Sequence, residues 1–154
     1  MTQPASETPL YRIREGNTAD FAFIANAWMR SNAETPLARQ LGANYRQQHA
    51  RLIWDWLPIS TVRVACDTDQ EDAILGFAVF HLPGLQWHLH HVFVRPDFRR
   101  FGIARALLAD LEGPRPVVYT HQVSDSTHYR GGLMGRIPAA WRFDPYLFLA
   151  GPHT

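Results

Sequence analysis

The sequence predicts one mixed α/β (α+β) domain built on a mostly antiparallel sheet of six or seven strands flanked by helices. Three observations predict it. Alternating or apolar strand-like runs at 61–67, 74–82 and 87–94 follow one another with only short turns between them, which gives antiparallel neighbours. A strand and two helical patterns precede them. The stretch 87–121 then reads strand, loop, helix, strand, and that order requires a parallel crossover.

Length and composition agree with that class. The chain has 154 residues, with 46% hydrophobic and 19% charged. That suffices for one core without disulfides or metals. Residues 1–8 (MTQPASET) are polar and patternless, so a flexible tail precedes a single domain at 9–154. The net charge of +1 gives no bulk argument for nucleic acid. All fifteen basic residues are Arg, and there is no lysine. One cysteine, Cys66, cannot form an internal disulfide and suits a reducing compartment. No secretory signal and no bilayer-length apolar run is visible, so a cytoplasmic protein without membrane partners is expected.

The elements follow in order. In 10–15 (LYRIRE), Tyr11 and Ile13 alternate with Arg12 and Arg14, a strand. Asn17 or Thr18 caps a helix in which Phe21, Ile24, Ala25 and Trp28 share a face, ending near 31–32. The stretch 33–42, with Pro36 and Gly42, is expected to be a loop. A second helix over 44–57 aligns Tyr45, His49, Leu52, Ile53 and Trp56 and stops at Pro58. Acidic residues 67–72 turn the chain into the central hairpins. A helix is expected over 102–112, a strand over 116–121, a weak helix near 125–129, and one or two strands over 141–149.

The informative segment is 92–108, VFVRPDFRRFGIARALL. A strand enters a tight Arg-rich loop, and a helix starts at once beyond a glycine. Unpaired amides and the helix dipole make such a start a cradle for phosphate or pyrophosphate. Gly102 allows close backbone approach, and Ala104 keeps the next turn uncrowded. Arg95, Arg99, Arg100 and Arg105 against Asp97 leave a local charge of +3, suited to a multiply charged anion.

Arg99-Arg100-Phe101-Gly102-Ile103-Ala104 resembles the acetyltransferase pattern Gln/Arg-x-x-Gly-x-Gly/Ala, and 92–98 resembles the strand and turn that lead into it. With the element order over 10–121, the chain resembles the GNAT N-acetyltransferase superfamily, and more loosely its small phage-encoded members. The resemblance implies a sheet splayed between the fourth and fifth strands, with acetyl-CoA as co-substrate. It implies that Val92, Phe93 and Val94 bind the pantetheine amides through their backbone, like an added strand. It implies that the amides of Arg99, Arg100, Phe101, Gly102, Ile103 and Ala104 hold the pyrophosphate. An amine would then attack the thioester directly.

That reaction needs a base for the amine and an acid for the leaving thiolate. The fourth strand carries His88, His90 and His91, and alternation puts His88 and His90 on one face unless a bulge shifts the parity. Histidine titrates in the right range, so His90 is the first candidate base and His88 the second. The competing reading is sheet-face histidines bonded to their neighbours. Tyr129 stands near the position of the family's acid tyrosine, although 122–135 lacks the usual ending. His88-x-His90 has metal-ligand spacing, but Val94-Arg95-Pro96 follows where a carboxylate ligand would be needed, so no metal is expected. Cys66 reads as packing rather than nucleophile.

Acceptor recognition in the resembling family comes from the first two helices and the late loops. Here Trp28, Tyr45, His49, Trp54 and Trp56 make that half aromatic. Trp28 and Trp56 read as core, and Trp54 as surface. The expected partner is a small-molecule or macromolecular amine; nucleic acid is admitted but not favoured, and a homodimer is admitted. Two other functions stay open: a GNAT-like enzyme modifying nucleobases of phage DNA, and a non-catalytic acyl-CoA-binding domain.

Overall fold

The computed structural model describes residues 9–121 and 140–152. Six strands form one sheet in the order of the chain: β1 (Tyr11–Glu15), β2 (Thr61–Asp67), β3 (Ile74–His81), β4 (Trp87–Val94), β5 (Val117–Tyr119) and β6 (Arg142–Phe143). Strands β1 to β4 pair antiparallel, whereas β4–β5 and β5–β6 pair parallel. The short hairpins force the first arrangement, and the crossover through 95–116 forces β5 to run with β4.

Helices α1 (Phe21–Ala33) and α2 (Pro36–Trp56) cover one face, joined there by the short α4 (Tyr146–Leu149). Ile24, Trp28, Ile53, Trp56 and Phe148 meet Val62, Val64, Phe77 and Val79 in that core layer. Helix α3 (Ile103–Leu107) covers the other face, where Ile103, Leu107 and Leu111 meet Leu75, Ala78, Leu89 and Val92. No helix among the described residues is long and apolar enough to cross a membrane.

Three expectations need correction. Residues 36–41 are helical rather than loop: Thr35 caps α2 through Ala38 N, Pro36 occupies its start, and Gly42 interrupts it with φ 81° and ψ −162°. Thr-Pro is a helix-start signal as well as a turn signal, and here the first role wins. Helix α3 ends at Leu107, five residues long, because Leu108 leaves helical geometry and a 3₁₀ turn over Ala109–Leu111 follows. The chain after Phe143 is not a strand, since Pro145 caps α4, which starts at Tyr146. The six strands fall within the six or seven expected. The tail 1–8, the helix expected near 125–129 and Tyr129 lie outside the described residues.

A buried ion pair locks the sheet edge to α1. Arg14 of β1 donates through both Nη atoms to Asp20, each at 2.8 Å. Asp20 also accepts from Asn17 N, and the Asn17 side chain accepts from Ala19 N, which closes the capping box before α1. Hydrogen bonding to Arg14 holds the Asp20 carboxyl below its ordinary range. Removing one member of such a pair leaves the other charged and buried. Asp20→Ala is therefore expected to cost about 3–5 kcal/mol in urea unfolding; a loss below about 1 kcal/mol would show that the pair behaves as an exposed one.

Candidate functional site

The site grows from an interruption in β4. On its β3 side, pairing continues from His81↔His88 to Gly76↔Val94 with a register shift at Val79/Phe80, so His90 is the extra residue of a β-bulge. On its β5 side, pairing stops at Leu89↔Tyr119, closed by Thr120 N to Leu89 O at 3.0 Å. Beyond it the rest of β4 has no strand neighbour on that side among the described residues. The bulge reverses the parity of the backbone. Trp87 N and Leu89 O face β5, whereas Arg95 N donates to Leu75 O of β3. By alternation, Val92 and Val94 turn their backbone groups to the vacated edge. Gly76 lets β3 approach here, since a Cβ on it would stand 2.6 Å from Phe93 O.

The loop after β4 lies beside this edge. Arg99 folds back and donates from Nε to Val94 O at 3.1 Å. Arg100 and Gly102 both adopt left-handed backbone, with φ 75° and 79°. Arg100 bears this conformation against its ordinary preference, whereas Gly102 adopts it freely. A Cβ on Gly102 would meet only Tyr11 Oη, at 3.9 Å, so the surface above it is open. The first amides of α3, Ile103 and Ala104, have no partner within the helix. Phe101 is exposed, and Ile103 is buried under the sheet. Because α3 is so short, the loop's clustered amides and arginines, rather than a long helix dipole, make this concavity suit an anion. Arg95 lies over the Phe23 ring at 5.3 Å and ties the loop to α1.

The opposite side of the fork is a cluster of histidines. The bulge puts His90 and His91 on the same face, the one covered by α1 and α2. His91 stacks on Trp28 with ring centres 5.4 Å apart, and Trp56 lies 4.6 Å from the His90 ring. His88 is half-buried, edge-on to His81, and its Nε2 meets Gln86. The site thus brings His88 and His90 together, with His91 added. Three further members, His49, His81 and His121, come from α2, β3 and the end of β5, and sequence spacing cannot pair them. One signal existed: four of eight histidines fall between 81 and 91. Among the described residues, no three His, Cys, Asp or Glu side chains are arranged to hold a metal ion. Cys66, Trp28 and Trp56 are buried in the core, whereas Trp54 is exposed.

Burial is the main cause that lowers every one of these histidines below its ordinary value. His49 and His81 fall to about 4 and His91 to about 3, with His88 lowered and His90 and His121 well below. The folded cluster is therefore neutral at pH 7.

A model of the acetyltransferase (GNAT) family matches residues 25–113 of this chain. No curated protein matches it. Among solved structures, one from Corynebacterium glutamicum described as histone acetyltransferase HPA2 and related acetyltransferase is similar, with TM-score 0.51 at 17% identity over 71% of this chain and 75% of that one. The apo form of YjaB from Escherichia coli is 27% identical with TM-score 0.48, over 66% of this chain and 64% of that one. YhbS from Escherichia coli in complex with CoA is 20% identical with TM-score 0.46, over 71% and 57%. The chain thus spans just under two thirds of the YjaB chain.

The cluster also sets a pH dependence of stability. The unfolded chain takes up protons as pH falls through about 6.5, while the folded cluster refuses them until about pH 4. Stability is full above that window and is lost on descending through it. His49 alone accounts for roughly 3 kcal/mol by pH 4. Calorimetry is expected to show a steep fall in Tm from pH 7 to pH 4; a flat profile would mean that the histidines are solvated.

Proposed function

The chain belongs to the acetyltransferase (GNAT) family, and from that premise we propose that it is an acetyl-CoA-dependent N-acyltransferase acting by direct attack of an amine. The observation that carries this reading is the coincidence on β4 of a bulge at His90, the loss of β5 as a neighbour beyond Leu89, and an open left-handed glycine at the start of α3. Acetyl-CoA supplies an acyl group activated as a thioester.

In this reading Val92, Phe93 and Val94 offer their strand edge to the pantetheine amides, as an added strand would be bound. The amides from Arg99 to Ala104 hold the pyrophosphate, helped by the excess of arginine. The acceptor amine lies on the opposite face, between α1, α2 and the end of β5. Nearby histidines are neutral and so can accept its proton. His90 is fully buried with both ring nitrogens engaged, by Thr120 and His81, so it acts through these partners rather than by touching the amine. His88, edge-on to His81, is the more accessible relay for that proton on its way out, and Tyr129 is the proposed donor to the departing thiolate. A nucleobase, as in the phage-encoded members the sequence resembles, is the alternative acceptor, and a cytoplasmic location and a homodimer complete the proposal.

The test is binding followed by turnover. Acetyl-CoA should bind by calorimetry, and Gly102→Val should weaken it by about tenfold or more, since valine is strained at that φ and fills the approach. Thiol release is then measured with a panel of amines and with oligonucleotides. Release with amines supports the reading; release only with oligonucleotides selects base modification. Binding without release, unaffected by His88→Ala and Tyr129→Phe, selects a non-catalytic domain.

A further inference from the structure

Five side chains make one unbroken hydrogen-bonded chain across the fork. His49 Nε2 meets His121 Nε2 at 2.8 Å. His121 Nδ1 meets Thr120 Oγ1 at 2.8 Å. The same oxygen meets His90 Nδ1 at 2.9 Å. His90 Nε2 meets His81 Nδ1 at 3.2 Å. The chain thus links α2, the end of β5, the bulge of β4 and the last residue of β3.

We infer that His49, His121, Thr120, His90 and His81 form a proton-conducting chain that carries the proton lost by the acceptor amine to the surface at His81. The inference rests on the acyltransferase reading for the source of the proton; the chain itself rests on the four contacts.

The proton count of the chain is restrictive. Each neutral imidazole has one N–H and one bare nitrogen, and the threonine hydroxyl has one proton. Thr120 is buried, so its own proton needs a partner; it then donates to one of the two Nδ1 atoms beside it and accepts from the other. Following that rule outward leaves two complete arrangements. In one, every bond donates from His49 toward His81: His49, His90 and His81 carry their proton on Nε2 and His121 on Nδ1. In the other every bond is reversed, and every histidine holds the opposite tautomer. All four bonds are satisfied in both, with every histidine uncharged.

Moving one proton converts the first arrangement into the second. A proton arriving at His49 Nδ1 displaces the Nε2 proton to His121 Nε2. His121 passes its Nδ1 proton to Thr120, Thr120 passes its own to His90 Nδ1, and His90 passes its Nε2 proton to His81 Nδ1. His81 releases its Nε2 proton to water. The overall balance needs such an exit. An ammonium group that becomes an amide loses two protons; one ends on the thiol and the other leaves the protein.

The surroundings favour transfer along the chain and not out of it. Trp28, Trp56 and Phe148 sheathe it: Trp56 lies 4.6 Å from His90, and Phe148 lies 4.5 Å from His121 and 5.1 Å from His49. His49, Thr120 and His90 are 2%, 3% and 1% exposed. His81 is half-buried, beside the exposed turn that holds Leu85. No described residue engages the outer nitrogen of either end, His49 Nδ1 or His81 Nε2. His81 is thus the end nearer solvent, and His49 the enclosed end under the helices.

Two experiments test this. Nitrogen-15 NMR of the histidine rings in the whole protein, without ligand, is expected to show His121 in the tautomer opposite to that of His49, His81 and His90. Finding His90 and His121 in the same tautomer would overturn the chain, whatever the protein catalyses. In the acylation assay, Thr120→Val is expected to lower kcat by about 10- to 100-fold. Its KM for acetyl-CoA should stay within about twofold, and Thr120→Ser should restore kcat to within about threefold. Full kcat in Thr120→Val would overturn the chain and leave the acyltransferase reading standing. No thiol release by the wild-type protein with any acceptor, alongside the expected tautomers, would overturn that reading and with it the chain's role as a conductor. If Thr120→Val fails to fold, the wild-type tautomers decide.

Discussion

The arrangement depends on one constraint: among the described residues, β4 is paired on both sides only as far as Leu89. Past that point β5 is gone, and the bulge at His90 has turned the backbone so that Val92 and Val94 present hydrogen-bonding groups to the gap. A sheet edge inside a small domain is costly to leave bare. The chain meets part of the cost itself, with Arg99 donating to Val94 O. The rest stands ready for a strand-like ligand. The same bulge drives two consecutive histidines onto one face, which regular alternation forbids. Cofactor edge and histidine cluster are therefore two results of one inserted residue.

The two sides of the fork use opposite electrostatics. The loop above α3 is exposed and rich in arginine, where solvent and ligand phosphate both stabilise charge. The histidine side is lined by Trp28, Trp56 and Phe148, where charge is disfavoured and protons are held by neutral rings. An amine must lose its proton before attack, and a dry, uncharged surround lowers the barrier to losing it. The Arg14–Asp20 pair holds α1 against this sheet, and α1 in turn supplies Trp28.

Much of this was legible from residue order. The boundaries of β2 and β4 were predicted to the residue, because alternation and flanking turns are strong local signals. The loop 99–104 stood out through glycine, arginine and the following helix pattern. What escaped notice depends on tertiary placement. Pro36 and Gly42 look like loop residues until Thr35 is seen capping a helix. The aromatic run 146–149 has strand composition, yet Pro145 and packing against α2 make it helical. The bulge changes no residue type, so nothing local reports that His90 and His91 share a face. Thr120 and His81 gain meaning only when β3, β4 and β5 are assembled.

The central claim is that the vacated edge of β4 and the amides around Gly102 together receive coenzyme A. Backbone amide shifts in a titration of the labelled protein with coenzyme A test it most directly. The account predicts large changes at Val92, Val94 and residues 100–104, with Glu15 at the far end of β1 and the first turns of α2 unmoved. Changes centred on another surface, or none at all at saturating ligand, would contradict it.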